Sequence, residues 1–154
     1  MPTMNKNGFT MIELTLVILV LSLIAVTAIP DGFWMTSVSL DAATRRVEND
    51  IRFAQNMAMT TSDPHGFQVT GNTTYQIYNV NTGVVATSPF TQSPMQVDLD
   101  DDFNSTAFNN TTYHIVFDAM GTPTTGAGTI VQINCGTESK QIQISNTSGH
   151  VSRL

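Results

Sequence analysis

The chain is short of cysteine and of positive charge. It has a single cysteine, Cys135, so no disulfide can form within it. Cys135 reads as a small buried hydrophobe, with a bridge to another chain as the other option. Lysine and arginine number 6 against 12 aspartates and glutamates, a net charge of −6. From residue 55 onward the only cations are Lys140 and Arg153, set against Asp63, Asp98, Asp100, Asp101, Asp102, Asp118 and Glu138. Nucleic-acid binding needs a basic patch to neutralise phosphates, and none is visible. His65, His114 and His150 are far apart and match no metal-binding spacing; they read as surface or strand residues. No G-x-S-x-G or comparable nucleophile motif occurs, so nothing points to an enzyme. Asp98, Asp100 and Asp102 alternate, followed by Asn104, and calcium takes several oxygen ligands from a short loop. The glycine and closing glutamate of an EF-hand loop are missing, so this stretch reads as a solvated acidic loop. Calcium is the one cofactor candidate.

What the chain does have is one long apolar run. Residues 9–29 read FTMIELTLVILVLSLIAVTAI, and Glu13 is the only charge among them. The run has about the ~20 residues a helix needs to cross a bilayer's hydrocarbon core. A carboxylate inside it costs ~2.5–3.5 kcal/mol or more at mid-depth, and such a residue points to function. Upstream stand Gly8 and a polar leader, MPTMNKN, with one positive charge at Lys6. A secretory signal peptide fits poorly, because its small-residue cleavage site follows the apolar core, whereas Gly8 precedes it. Cleavage after Gly8 would free an α-amine on Phe9, four residues before Glu13 and on the same helix face. The amine of one subunit and Glu13 of the next could then neutralise each other inside an apolar bundle. The simpler option is that Glu13, so near the helix end, snorkels its carboxylate to the interface. Phe33 and Trp34 follow the run as interfacial aromatics or as packing residues between subunits.

The rest of the chain falls into two blocks. Pro30 predicts a kink or break near residues 28–30. Residues 31–62 predict an amphipathic continuation of the helix: Val47, Ile51, Ala54 and Ala58 share one face, while Arg45, Arg46, Glu48, Asp50 and Arg52 mostly occupy others. Turn-prone residues from Thr60 to Pro64 end it. Residues 63–154 predict a globular β-rich domain. Alternation marks strands around 67–69, 75–80, 95–99, 113–117, 129–134 and 140–144, with a short one at 149–153. Gly71-Asn72 and Cys135-Gly136 read as turns. Sequential strands joined by short turns argue for antiparallel sheet. The fold class is α+β: a long N-terminal helix, membrane-spanning in its first half, packed on an antiparallel β-sheet domain.

Gly8-Phe9-Thr10-Met11-Ile12-Glu13-Leu14 resembles the class III signal of type IV pilins and type II secretion pseudopilins. Pro30 falls where many pilins carry a helix-kinking proline. The resemblance implies a prepilin peptidase that removes residues 1–8 by cutting after Gly8 and N-methylates Phe9. It implies that residues 9–30 form a transmembrane and filament-core helix in which Glu13 sets axial register. It also implies a single-pass protein of the bacterial inner membrane with its C-terminal domain periplasmic, or extracellular in the filament. Residues 46–59, 115–121 and 142–153 resemble the corresponding parts of GspH/FimT-type pilins, which implies a minor subunit at or near a filament tip. DNA-binding members of that type carry a basic Gly-Arg-x-Arg motif near the C-terminus. Here the stretch is Gly149-His150-Val151-Ser152, so both arginines are absent and DNA binding is not expected. The implied partners are prepilin peptidase, other pilin or pseudopilin subunits, the assembly platform and secreted cargo. The function expected is that of a minor pseudopilin in a type II secretion machine. A minor subunit of a type IV pilus, with a role in pilus assembly or DNA uptake, is one alternative. A membrane-anchored extracytoplasmic binding module, for which Gly8 and Glu13 are coincidence, is another.

Overall fold

A stretch of Leu, Ile and Val with no polar stripe forms the first helix, α1 (Met11–Thr27, 17 residues). The computed structural model describes residues 9–27, 33–89 and 91–154. Gly8 and Pro30 therefore lie outside the described residues, as do the side chains of Phe33 and Trp34. The chain divides into two compact units, residues 1–34 and 35–154. In the first, every side chain from Phe9 to Ala25 is exposed, including Met11, Leu19 and Leu23. Thr15 bonds back to the carbonyl of Ile12, and Ser22 to that of Ile18, so both hydroxyls are satisfied within the helix. Among the described residues no helix is long and apolar enough to cross a membrane.

The second helix, α2 (Phe33–Thr61, 29 residues), is amphipathic. Leu40, Ala43, Val47, Ile51, Ala54 and Ala58 are inaccessible to solvent. Their spacing of three or four residues keeps them on one face, and the three alanines let the helix approach the sheets closely. Most of the charged positions lie on the other faces, as the spacing implies; Glu48 and Asp50 are buried, while the arginines paired with them, Arg46, Arg52 and Arg153, stay exposed. The helix stops where Ser62 takes a positive φ of 58°, just before Pro64.

Two antiparallel sheets complete the unit. The first contains β1 (His65–Val69), β2 (Thr74–Asn79), β3 (Gln96–Asp98), β5 (His114–Phe117) and β6 (Pro123–Thr125), in the order β3-β2-β1-β5-β6. The second contains β4 (Thr106–Phe108), β7 (Ile130–Cys135), β8 (Glu138–Ile144) and β9 (Val151–Arg153), in the order β4-β7-β8-β9. Opposed pairs such as Phe67 with Ile77 and Ile115, or Val131 with Ile142, place their side chains in one core. Phe108 of the second sheet meets Tyr75 edge-on at 5.8 Å and Phe67 at 6.5 Å, which joins the two sheets through aromatic contacts.

Two expectations need correction. The 95–99 alternation is a strand only over β3, because Leu99 opens a short helix, α3 (Leu99–Phe103), capped by the Asp98 side chain. Cys135 is not in a turn. It ends β7 opposite Glu138, leaving Gly136 and Thr137 as a two-residue hairpin loop. His65 is a strand residue, as expected, and is buried, with its ring Nδ1 2.9 Å from the Asp63 carbonyl.

Candidate functional site

The first region of interest is the start of α1. Thr10 caps the helix: its Oγ1 accepts from the Glu13 N–H at 3.3 Å, and its carbonyl accepts from Glu13 and Leu14. Thr10-Met11-Ile12-Glu13 has the S/T-x-x-E spacing of a capping box. Glu13 is the acidic residue of the first turn, where a carboxylate complements the helix dipole. Among the described residues no side chain meets the Glu13 carboxylate in a hydrogen bond or ion pair. Phe9 is exposed. Only the Thr10 half of the box is formed: among the described residues the Glu13 carboxylate makes no bond back to the Thr10 N–H, so its local contribution is a negative charge at the start of the helix.

The second region is a polar seam where α2 lies on the sheets. Asp41 accepts from Arg45 at 2.7 Å and Lys140 at 2.5 Å, and Arg153 lies 3.4 Å away. The Lys140 and Arg45 hydrogen bonds hold the Asp41 carboxyl down to about 2. Glu48 pairs with Arg52 at 2.8 Å and with Arg153 at 3.0 Å. Arg52 also donates to the Val151 carbonyl at 2.7 Å. Asp50 accepts from Arg46 at 2.9 Å and from the buried Tyr75 hydroxyl at 2.6 Å. Burial pulls the Arg46 pKa down, but the Asp50 hydrogen bond and charge outweigh it and the net shift is upward. Burial first, then the Asp50 charge and hydrogen bond, raise Tyr75 well above its ordinary value.

Every lysine and arginine among the described residues is therefore paired with a carboxylate. Arg153, the cation nearest the variant C-terminal motif, follows the two-residue alternation of β9 and shares the α2-facing side with buried Val151. The concavity of about 340 Å³ beside Gly149-His150-Val151-Ser152 has no lysine or arginine in its lining, which includes Gln143, Asn146, His150 and Ser152.

The alternating aspartates do not converge. Asp98 accepts from the Asp100 N–H at 3.0 Å, and Asp100 accepts from the Ser105 N–H at 2.7 Å. Both are engaged in local turn bonds, and Asp102 is exposed on α3. Among the described residues no group of three or more His, Cys, Asp or Glu could hold a metal ion. His114 is placed instead against Tyr78, whose hydroxyl lies 2.7 Å from its Nε2; burial raises the Tyr78 pKa. Cys135 is buried, its Sγ 3.7 Å from the Asn104 carbonyl.

An apolar amino-terminal helix, an amphipathic second helix and two antiparallel sheets are the architecture of a type IV pilin-like minor subunit. Two crystal forms of the type IV minor pilin FimU from Pseudomonas aeruginosa strain PAO1 share the fold. Their TM-scores are 0.57 and 0.54, each at 16% identity, covering 79% and 75% of this chain and 92% of theirs. No curated protein sequence matches the chain. The chain belongs to the family described as type II transport protein GspH, which matches residues 43–148. That span runs from within α2 through β8 and leaves out the Phe9–Glu13 region.

Proposed function

We propose that the protein is a minor pseudopilin of a type II secretion machine, anchored in the bacterial inner membrane and added near the tip of a short filament. The observation that carries this reading is the all-round apolar exposure of α1. A helix with no polar face needs cover on every side, from lipid before assembly and from other helices afterwards. In this reading the peptidase cuts after Gly8 and methylates Phe9, and residues 9–30 cross the membrane. Glu13 pairs with the Phe9 amine of a neighbour. Residues 63–154 lie outside the membrane and touch other subunits, the assembly platform or cargo. The protein has no catalytic role, and its described cations, all engaged with carboxylates, leave no free basic surface for DNA. A type IV pilus is the second reading, favoured by the shared fold with a type IV minor pilin.

The test is mass spectrometry of the intact protein after co-expression with a prepilin peptidase. A chain that begins at N-methylated Phe9 is the expected result. A chain that still begins at Met1, beside an active peptidase control, would overturn the reading in favour of a signal-anchored binding module.

A further inference from the structure

Arg46 lines two adjoining hollows of residues 35–154. One, about 560 Å³, lies between α2 and the connection leading to β3, and its lining includes Phe53, Pro89 and Met95. The other, about 320 Å³, shares Arg46 and Met95 and reaches Asp101 and Asp102 on α3. The two form one groove, apolar at one end and acidic at the other. Asp101 and Asp102 are exposed, and among the described residues neither closes an ion pair or accepts a side-chain hydrogen bond. Arg46 feels the Asp102 charge, but its Nε is bound to Asp50, which also accepts from Tyr75, so that end of the groove stays acidic. Arg46 lines both hollows where they meet.

We propose that this groove docks an extended segment of a partner protein that carries an apolar side chain and, a few residues away, lysine or arginine. The apolar side chain covers Phe53 and Met95, removing apolar surface from water. The basic residues meet Asp101 and Asp102, giving specificity and salt dependence. The inference does not depend on which filament, if any, the chain enters, because the groove lies wholly within residues 35–154.

The probe is a synthetic peptide with the order Phe-Ser-Lys-Lys, added to the full chain in lipid nanodiscs carrying methyl-labelled methionine. The Met95 methyl resonance, assigned through Met95→Leu, is expected to shift saturably. The methyls of Met59 and Met120, exposed elsewhere, should not follow it. Asp101→Asn with Asp102→Asn should weaken binding about threefold to tenfold, as should added salt; both positions are on the surface, so the fold survives. An Asp118→Asn control should change nothing. No shift at Met95, or an equal response to Phe-Ser-Glu-Glu or Phe-Ser-Ser-Ser, would overturn the proposal. The last of these would mean an apolar hollow without charge selection.

Discussion

Two side chains of the polar seam tie stability to pH in opposite directions. Asp41 has its folded pKa lowered from 3.8 to about 2. A lowered carboxylate stabilises the folded state above its unfolded pKa, and that contribution is lost as pH falls from about 4 towards 2. Its side chain is one-third exposed, and those of Arg45, Lys140 and Arg153 are 62%, 38% and 37% exposed. Solvent screening therefore reduces the effect to about 1 kcal/mol. Asp41→Asn should be less stable than the parent by that amount at pH 7 in urea unfolding, and the gap should close by pH 2. Tyr75 behaves inversely. Its pKa is raised, so its contribution is complete below pH 10 and declines as pH climbs beyond it. Tyr75→Phe removes a hydrogen bond to a buried carboxylate, which costs about 1.5–3 kcal/mol near neutrality. Above pH 10 the parent loses stability faster than the variant, so their urea midpoints should draw together as pH rises beyond 10.

At the scale of elements, α2 holds the domain together by reaching two turns that are remote in sequence. Gln55 donates to the Gly121 carbonyl at 2.7 Å and to that of Ser148 at 3.1 Å. Beside them Gly149 has φ of 64°, and a Cβ there would stand 2.7 Å from both Gln55 and Gly121 and 2.9 Å from the Phe117 ring. Gly149→Ala combines a left-handed backbone with a close contact. It should lower stability by about 2–4 kcal/mol, read as a fall in the thermal midpoint, whereas Thr137→Ala in an exposed hairpin should change little. The spacing of Val47, Ile51, Ala54 and Ala58 made the buried face of α2 legible, because helical periodicity is local. The long strands were legible for the same reason. β4 and β6 have three residues each, too few to show alternation, and the division into two sheets depends on pairings between distant strands. The short helix after Asp98 was not legible, because the alternation of the strand runs into it and a capping aspartate and a short acidic helix share the same composition. The partners of Asp41, Lys140 and Arg153, are about a hundred residues away, beyond any local signal. The Thr10 cap on the Glu13 N–H, by contrast, is local and stands in the Thr10-to-Glu13 spacing.

Across the whole molecule the two units differ in what they need from their surroundings. Every buried apolar side chain among the described residues lies at or beyond Leu40, so residues 35–154 carry their own core, while α1 exposes its apolar surface in every direction. Glu13 is the residue through which that difference can be tested. As a first-turn carboxylate it complements the dipole of α1 in any environment. As a partner for a neighbouring amine it matters only when subunits pack together, where an unpaired charge in an apolar bundle is costly. Glutamine at this position keeps a polar side chain able to cap the first turn and removes the charge; leucine removes both. If register depends on charge, Glu13→Gln and Glu13→Leu should both insert into membranes, yet both should fall at least tenfold in incorporation into filaments sheared from cells and quantified by immunoblot. If Glu13→Gln is incorporated like the parent while Glu13→Leu is not, the cap alone carries the effect and the pairing with Phe9 is rejected. Normal incorporation of both would remove Glu13 from assembly altogether.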